Sequence, residues 1–192
     1  MSRPLAIALV HYPVLDAKGD TVTTAITNLD VHDLARSART YGCSDYFIVH
    51  PITAQRDLVL RICDHWTNGS SGKRIPDRKT ALALVRVHPS LEDVYATMGG
   101  RDEIEVWVTA ARRVAPPLSM AAARERLALP GKPVLVLFGT GWGMAKSVID
   151  AADATLEPIS AEHNADYNHL SVRAACAIAL DRLRGARGES AV

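Results

Sequence analysis

The segment with the clearest capacity for chemistry is a glycine-rich stretch that follows a run of apolar residues. Residues 133–138 read Pro-Val-Leu-Val-Leu-Phe, and glycines follow at positions 139, 141 and 143. The apolar run predicts a buried parallel strand, and the glycines predict a loop whose main chain a ligand can approach closely. Ligands of open α/β sheets bind outside the carboxyl ends of the strands. The spacing of these glycines differs from the six-residue dinucleotide fingerprint, so the loop alone does not identify its ligand.

Two later segments complete a pattern of three loops. Residues 156–159 read Leu-Glu-Pro-Ile, and residues 168–175 read Asn-His-Leu-Ser-Val-Arg-Ala-Ala. Together with Phe-Gly-Thr-Gly-Trp-Gly-Met at 138–144, they resemble the S-adenosylmethionine site of the SPOUT superfamily of RNA methyltransferases. The resemblance covers nearly the whole chain, and it extends to small bacterial proteins related to the carboxyl domain of the tRNA guanine-N1 methyltransferase. It implies a carboxyl-terminal trefoil knot, S-adenosylmethionine as cofactor, tRNA or rRNA as substrate, a homodimer and no metal.

The resemblance also implies which residues hold the cofactor. Main-chain groups of the three loops would bind the adenosine and methionine parts in a bent shape, and apolar side chains would form walls for the purine. An ordinary core role for those apolar side chains is compatible with this, because cofactor pockets are mostly apolar. The implied cofactor-binding residues are Thr109, Phe138, Gly139, Thr140, Gly141, Trp142, Gly143, Leu156, Pro158, Ile159, Asn168, His169, Leu170, Ser171 and Val172.

A segment near the amino terminus resembles the first motif of the ribose 2′-O-methylating branch. Residues 35–42 read Ala-Arg-Ser-Ala-Arg-Thr-Tyr-Gly, and Arg36 matches the functional arginine of that motif. A guanidinium group is a poor general base, so Arg36 is expected to hold a phosphate or to stabilise negative charge on the methyl acceptor. Asp30 occupies the position of the motif's asparagine, which leaves open whether ribose or a base nitrogen accepts the methyl group. His32, Glu162, His163 and Asp166 are candidates for the base that removes the acceptor's proton.

Basic residues near these motifs are candidates for contacts with RNA, because phosphate contacts supply much of the affinity for nucleic acids. Part of the set lies on the first helix, part on a glycine-rich segment at 68–78, and part after the strand that ends at Thr109. The alternative is an ordinary solvated helix face or surface loop. The candidate RNA-binding residues are Arg39, Lys73, Arg74, Arg78, Arg112 and Arg113.

Composition limits the class of protein. The 192 residues include 48% apolar residues, which favours one domain, at 1–184, followed by a loose tail at 185–192. The 22 basic residues balance 21 acidic ones, so any RNA site must be a local patch. Three scattered cysteines form neither a disulfide framework nor a metal motif, and no apolar stretch reaches membrane-spanning length. We therefore expect a soluble, cytoplasmic protein.

Strand and helix patterns alternate along the chain, which predicts an α/β domain with a mainly parallel, six-stranded sheet flanked by helices. Thr27 and Asp30 predict a capping box for the first helix, where Leu29, Leu34 and Ala38 recur at helical spacing until Gly42. Residues 14–27 form either a loop or a short hairpin. Strands are predicted at 5–10, 45–49, 81–87, 104–109, 133–138 and 155–159, with one less buried face at 104–109; helices at 27–41, 52–66, 91–98, 119–129, 144–152 and 168–184; and a flexible loop at 68–78.

Two other functions fit part of the pattern. A nucleotide-binding oxidoreductase could use the glycine loop, although the loop lies late in the chain and lacks the dinucleotide spacing. A non-catalytic RNA-binding or ribosome-assembly protein could retain the fold without the reaction. The S-adenosylmethionine-dependent RNA methyltransferase is the first interpretation, because the three loops together resemble its cofactor site.

Overall fold

A computed structural model describes residues 2–111, 116–162 and 167–187 of the chain. Strands in this part are β1 (Leu5–Val10), β2 (Val14–Leu15), β3 (Thr21–Val22), β4 (Tyr46–Val49), β5 (Val85–His88), β6 (Glu105–Val108), β7 (Val134–Gly139) and β8 (Ala154–Thr155). Helices are α1 (Asn28–Thr40), α2 (Thr53–Thr67), α3 (Ser70–Arg74), α4 (Pro76–Leu82), α5 (Leu91–Thr97), α6 (Met120–Ala128), α7 (Lys146–Asp150) and α8 (Val172–Arg184), with a short 3-10 helix at Arg101–Glu103.

The main sheet has six strands in the order β5-β4-β1-β7-β6-β8, and every pairing between neighbours is parallel. All six residues of β1 are buried, because its alternate side chains enter two hydrophobic cores on opposite faces of the sheet. One core is covered by α1, α2, α4, α6 and α8, and the other by α5, α7 and the β2–β3 hairpin. The predicted fold class is therefore confirmed, while the trefoil knot stays a prediction.

The first helix forms as its sequence predicts. The Thr27 side chain accepts a hydrogen bond from the main-chain N–H of Asp30, and the Asp30 carboxylate accepts one from Thr27 in return. Leu34 and Ala38 are fully buried, and Gly42 ends the helix with φ of +66°. Leu29 was expected on the buried face, but 58% of it is exposed. It lies on the side of α1 that carries His32 and Arg36 and lines a groove with them, whereas Val31 in the same turn is buried.

The prediction of a flexible loop at 68–78 was wrong. This segment contains α3 and the start of α4, and Pro76 occupies the first turn of α4, where its missing N–H costs nothing. The strand predicted at 81–87 was wrong in its first half, because residues up to Leu82 belong to α4 and the strand covers only Val85–His88.

The prediction that one face of β6 would be less buried was also wrong. Glu105 is only 8% exposed and Trp107 is fully buried. The Glu105 carboxylate pairs with the guanidinium of Arg3 and, at 2.7 Å, with that of Arg126, and it accepts a hydrogen bond from the Trp107 indole at 2.8 Å. Burial of this carboxylate is possible because two distant arginines neutralise it.

The carboxyl-terminal elements are shorter than their sequence patterns predict. β8 covers two residues, α7 covers five, and α8 begins at Val172, so the predicted helical start at Asn168 was wrong. Arg187, in the predicted tail, pairs with Asp181 at 3.3 Å, and residues 188–192 lie outside the described residues. Among the described residues, no helix is long and apolar enough to cross a membrane.

Candidate functional site

The first two predicted cofactor loops and the segment after β6 that contains Thr109 leave the same edge of the sheet. β7, β6 and β8 are neighbours, and their parallel arrangement puts the residues after each strand at one edge. Gly139 ends β7, Thr109 follows β6, and Leu156 follows β8. The Thr109 hydroxyl donates to the carbonyl of Leu137 on β7 at 2.9 Å, and the Leu156 N–H donates to the carbonyl of Val108 on β6 at 2.9 Å. The sheet therefore brings the first two loops and Thr109 together, as the sequence predicts.

The glycine loop at 139–143 is held by the β2–β3 hairpin. The Trp142 N–H donates to the Leu15 carbonyl at 2.9 Å, and the Leu15 N–H donates to the Gly143 carbonyl at 2.8 Å. Gly141 has φ of +60°, and a Cβ atom there would lie 2.8 Å from the Leu15 oxygen. Glycine is required at 141 by both this conformation and this contact. The contact with the hairpin was not predicted, because it joins residues far apart in the sequence.

A chain of hydrogen bonds connects the glycine loop to two buried histidines. Thr140 and Thr24 share a hydrogen bond between their hydroxyl groups, and Thr24 also shares one with Nδ1 of His11 at 3.0 Å. The rings of His11 and His50 lie 5.5 Å apart. The buried Nε2 of His11 has no hydrogen-bond partner among the described residues. Burial and the nearby His50 lower the pKa of His11 to about 4, so the ring is neutral at pH 7.

The second loop, at 156–159, packs against the hydrophobic core beside the carboxyl ends of the strands. Leu156 is buried and Ile159 packs against the same core, while Pro158 is half-buried. The main chain of Glu157 donates to Leu118 at 2.9 Å, and its carboxylate accepts a hydrogen bond from the first N–H of α6 at Met120. The chain after β8 is thereby fixed to the segment that precedes α6.

The third loop contacts the first through aromatic side chains. The His169 ring meets the Trp142 ring edge-on at 5.8 Å and lies 5.2 Å from the Tyr167 ring. The Asn168 side chain donates to the Ala111 carbonyl at 3.2 Å, which joins this loop to the segment after β6. The Ser171 side chain caps α8 by accepting a hydrogen bond from Ala174. The described loop residues 167–171 therefore precede α8 and face the glycine loop.

The residues at this edge fit a flat, partly apolar ligand. Trp142 is 57% exposed and Leu170 is 46% exposed, which leaves large apolar surfaces uncovered beside main-chain groups. A purine ring covers such surfaces well, and main-chain N–H and C=O groups can fix its orientation. The loops are described except for residues 163–166, which lie between the second and third loops.

Arg36 is exposed on α1, and the two grooves that it lines contain no residue of the glycine loop. It lines two grooves, one between α1, α2 and α4 and one between α1 and α8, and its guanidinium has no hydrogen bond or ion pair among the described residues. Asp30, at the position of the motif's asparagine, pairs instead with Arg173 of α8 at 3.0 Å. Arg173 also approaches Asp33 at 3.6 Å. This link between the first motif and the helix of the third loop was not predicted, because no local pattern pairs residues 143 positions apart.

The predicted RNA-binding residues fall into three groups. Arg39 is exposed on α1, and Lys73 and Arg74 are exposed on α3. The Arg78 guanidinium lies 4.6 Å from the centre of the Trp66 ring. Arg112 and Arg113 lie outside the described residues. Sequence reasoning missed Arg61, which shares a groove with Arg36 and Arg78.

Two of the proposed bases are described. His32 lies against Trp66 with its ring edge-on at 5.5 Å, and burial, followed by the charge of Arg78, lowers its pKa. Glu162 is exposed at the end of the second loop and has an interaction partner. His163 and Asp166 lie outside the described residues.

Comparison with known sequences assigns the chain to a family. Residues 4–185 match the model of a family described as SAM-dependent RNA methyltransferases. A tRNA (guanine-N(1)-)-methyltransferase of Oleidesulfovibrio alaskensis is 40% identical over 187 residues, which cover 95% of this chain. The match spans 42% of that relative, so this chain corresponds to less than half of its length.

Solved structures of a probable methylase and of a tRNA modifying enzyme have a similar fold. A probable methylase family protein from Haemophilus influenzae Rd KW20 aligns over 96% of this chain and 66% of its own, with a TM-score of 0.61 and 16% identity. A TrmH/SpoU tRNA modifying enzyme from A. aeolicus aligns over 96% of this chain and 75% of its own, with a TM-score of 0.56 and 10% identity. Identity this low shows the fold alone. The family match shows that the chain belongs to the S-adenosylmethionine-dependent RNA methyltransferases, and its fold is similar to those of the methylase and TrmH/SpoU structures.

Proposed function

We propose that this protein binds S-adenosylmethionine at the edge formed by β6, β7 and β8 and transfers its methyl group to a nucleotide of tRNA. The observation that carries the site is the contact between the Trp142 and His169 rings at 5.8 Å, because it joins the first and third loops around exposed apolar surface. The family supports the cofactor and RNA. The name of the relative from Oleidesulfovibrio alaskensis supports tRNA as the first substrate to test.

The proposed cofactor site uses main-chain groups and apolar side chains. The loop at 139–143 would face the ligand with its glycine backbone, while Ile159 and Leu170 would contact the purine. Trp142 and His169 would close one side. S-adenosylmethionine carries a methyl group activated on a sulfonium, so the protein must bind it, orient the acceptor and assist loss of the acceptor's proton.

Arg36 is the residue we propose for the acceptor side of the reaction. Its guanidinium has no hydrogen bond or ion pair among the described residues, so it is available to an anion. It can bind a phosphate beside the target nucleotide or stabilise charge on the acceptor as its proton leaves. In either role it would orient the RNA without accepting a proton.

A homodimer is proposed from the groove between α1 and α8. Its lining includes the small side chains of Ala174 and Ala177, together with Arg36 and Tyr41. Small side chains allow a helix from a second copy to approach closely, and the two-fold arrangement would bring Arg36 of one copy towards the other. α1 and α8 already pack on each other within one chain. A helix of the second copy would therefore pack against this pair of helices.

We propose the cytoplasm as the location. The three cysteines are free thiols, and burial raises the pKa of Cys43 to about 12. Free thiols are characteristic of reducing compartments, where RNA modification also takes place.

Methyl transfer is tested with isotopically labelled S-adenosylmethionine and separate preparations of tRNA and rRNA from cells that lack the gene. We expect label in tRNA, and mass spectrometry of the nucleosides identifies the acceptor as a ribose oxygen or a base nitrogen. Calorimetry with S-adenosylhomocysteine and NAD measures binding separately. If the protein binds S-adenosylhomocysteine but labels neither RNA, the non-catalytic RNA-binding function replaces the proposed one.

A further inference from the structure

A groove on the helical face lies between α1, α2 and α4. Its volume is about 570 Å³, and α1 and α2 form its two sides. It has an apolar floor and a cationic rim. The floor consists of Leu29, Ile62 and Trp66, and the rim carries His32, Arg36, Arg61, His65 and Arg78.

Positive charge dominates this groove. Three guanidinium groups line it, from Arg36, Arg61 and Arg78, against a single carboxylate, Asp33, which faces the guanidinium of Arg173 at 3.6 Å. The guanidinium groups of Arg36 and Arg61 have no hydrogen bond or ion pair with any described residue. The lowered pKa of His32, whose second cause after burial is the charge of Arg78, is consistent with a positive surrounding. An anion bound here would relieve repulsion between these groups.

Trp66 belongs to the floor of the groove and contacts three side chains of its rim. Its ring is half-buried, and the Arg78 guanidinium lies 4.6 Å from the ring centre. The rings of His32 and His65 meet it edge-on at 5.5 and 5.7 Å. These contacts hold Arg78 and both imidazoles in place before any ligand binds. A preorganised cation beside an aromatic and aliphatic surface suits a nucleotide, since the phosphate pairs with the guanidinium and the base covers the apolar surface.

We infer that this groove binds an unpaired nucleotide of the RNA substrate next to the one that is methylated. Its phosphate would contact Arg61 and Arg78, and its base would lie on Leu29 and Trp66, of which Leu29 is 58% exposed. Arg36 lines both this groove and the groove between α1 and α8, where the second copy is proposed to pack, so it would connect the bound nucleotide to the dimer interface. Single-stranded RNA is favoured over a duplex, because only an unstacked base can reach the floor of a groove. This inference rests on the proposed function.

The test measures the affinity of the purified protein for unmodified tRNA at several salt concentrations. Arg61→Ala removes an exposed side chain, so the variant is expected to fold normally. It should weaken binding about tenfold and reduce the slope of log affinity against log salt by about one, as expected for a lost phosphate contact. Trp66→Leu should weaken binding with little change of slope, because it removes stacking surface and no charge.

Lys132→Ala is the matched control. Lys132 is exposed, donates to the Asp102 carbonyl, and precedes β7 at the opposite edge of the sheet from the cofactor loops. Its variant should keep wild-type affinity and slope. If Arg61→Ala and Lys132→Ala lower RNA affinity equally, the groove is only part of a diffuse positive field and the inference is wrong.

Two further measurements separate this inference from the proposed function. S-adenosylhomocysteine affinity should be unchanged in Arg61→Ala, because the groove lies away from the cofactor loops. If wild-type protein methylates tRNA and Arg61→Ala binds and methylates it equally well, the groove has no role although the function stands. If wild-type protein binds the cofactor product but no RNA, both the inference and the RNA part of the proposed function fail.

Discussion

The hydroxyl oxygens of Thr24 and Thr140 lie 2.5 Å apart, which joins the segment after the β2–β3 hairpin to the glycine loop. His11 extends this contact through Thr24 at 3.0 Å. The Thr140 hydroxyl also donates to the Val10 carbonyl at 3.2 Å, so Thr24 is the natural donor to Thr140 and His11 Nδ1–H the donor to Thr24. In this arrangement His11 Nε2 carries no proton, so the buried atom without a partner is an acceptor. A buried acceptor without a partner costs less free energy than a buried N–H without one.

His11 should therefore position the cofactor loop. His11→Leu removes the donor to Thr24 and should lower S-adenosylhomocysteine affinity about tenfold, the effect expected when one buried hydrogen bond is lost. His11→Asn should restore most of the affinity, because its amide N–H₂ can take the place of Nδ1–H. Calorimetry measures both. Wild-type affinity in His11→Leu would mean that the hydroxyl chain does not hold the loop.

The lowered pKa of His11 should make the free energy of unfolding depend on pH. The folded protein holds this ring neutral down to about pH 4, whereas the unfolded chain protonates it near its ordinary pKa of 6.5. Unfolding therefore takes up a proton in this window, and the free energy of unfolding should fall as pH decreases from about 6.5 to about 4, by on the order of 3 kcal/mol from this group. Urea denaturation of wild type and His11→Asn between these limits measures the difference. A difference that stays constant with pH would contradict the assignment.

Gly141 and Gly143 offer a matched pair of substitutions. Both have positive φ, of +60° and +108°, but a Cβ atom would meet the Leu15 oxygen only at Gly141. Gly143→Ala should cost about 1–3 kcal/mol of stability from backbone strain alone. Gly141→Ala should cost more and should also lower S-adenosylhomocysteine affinity, because the hairpin and the loop must separate. Gly141→Val should abolish binding. Equal effects of the two alanine variants on stability would show that the Leu15 contact is not limiting.

Arg36 should affect turnover more than cofactor affinity, since no residue of the glycine loop lines the grooves at Arg36. Arg36→Ala should keep S-adenosylhomocysteine affinity within a few-fold and lose about 2–4 kcal/mol of transition-state stabilisation, typical of one preorganised donor. Arg36→Lys should recover little of it, because an ammonium group cannot form the two parallel hydrogen bonds of a guanidinium. Single-turnover methylation at saturating tRNA measures the loss.

Arg39→Ala is the control on the same helix, because Arg39 is also exposed but lines neither groove. Its turnover should remain near the wild-type value. Equal losses of turnover in Arg36→Ala and Arg39→Ala would mean that both arginines belong to a general basic surface. Full activity of Arg36→Ala would mean that Arg36 has no role in the reaction.

The groove between α1 and α8 should be part of a dimer interface. Ala177→Arg would put a long charged side chain into it, and an unpaired charge in an interface costs several kcal/mol, by a rough estimate. Sedimentation at micromolar concentration should show a wild-type dimer and a monomeric variant. A wild-type monomer would disprove the dimer. A variant that remains dimeric would show that the groove between α1 and α8 is not the interface.

Local and strongly periodic features of this fold could be predicted from the sequence. The capping box of Thr27 and Asp30 needs only a spacing of three residues, and the continuous apolar run at Leu5–Val10 identifies a strand buried on both faces. The three loops could be found because their sequences resemble a known family. The common edge of the first two loops then follows from the parallel sheet, whereas the third loop is placed by contacts such as that of Asn168 with Ala111.

Contacts between distant residues could not be predicted in this way. Burial of Glu105 depends on Arg3 and Arg126, and the fate of Asp30 depends on Arg173, while the local pattern around each acid suggests exposure. The segment at 68–78 was misread because its glycines and serines favour loops, whereas α2 and α4 supply the packing that makes it helical. Arg61 was missed for a related reason, since a single exposed arginine on a helix carries no signal until its neighbours are known.

The central position of β1 has a consequence for how the chain is made. β1 lies between β4 and β7, and Leu5 pairs with Val134, so one side of the first strand stays unpaired until most of the chain has left the ribosome. β1, β4 and β5 can associate early. The side of β1 that later pairs with β7 then has free main-chain N–H and C=O groups, and its side chains are apolar. Such an edge is prone to pair with other chains during synthesis. The nascent protein is therefore expected to need a chaperone over this interval, even though the finished sheet leaves β1 fully covered.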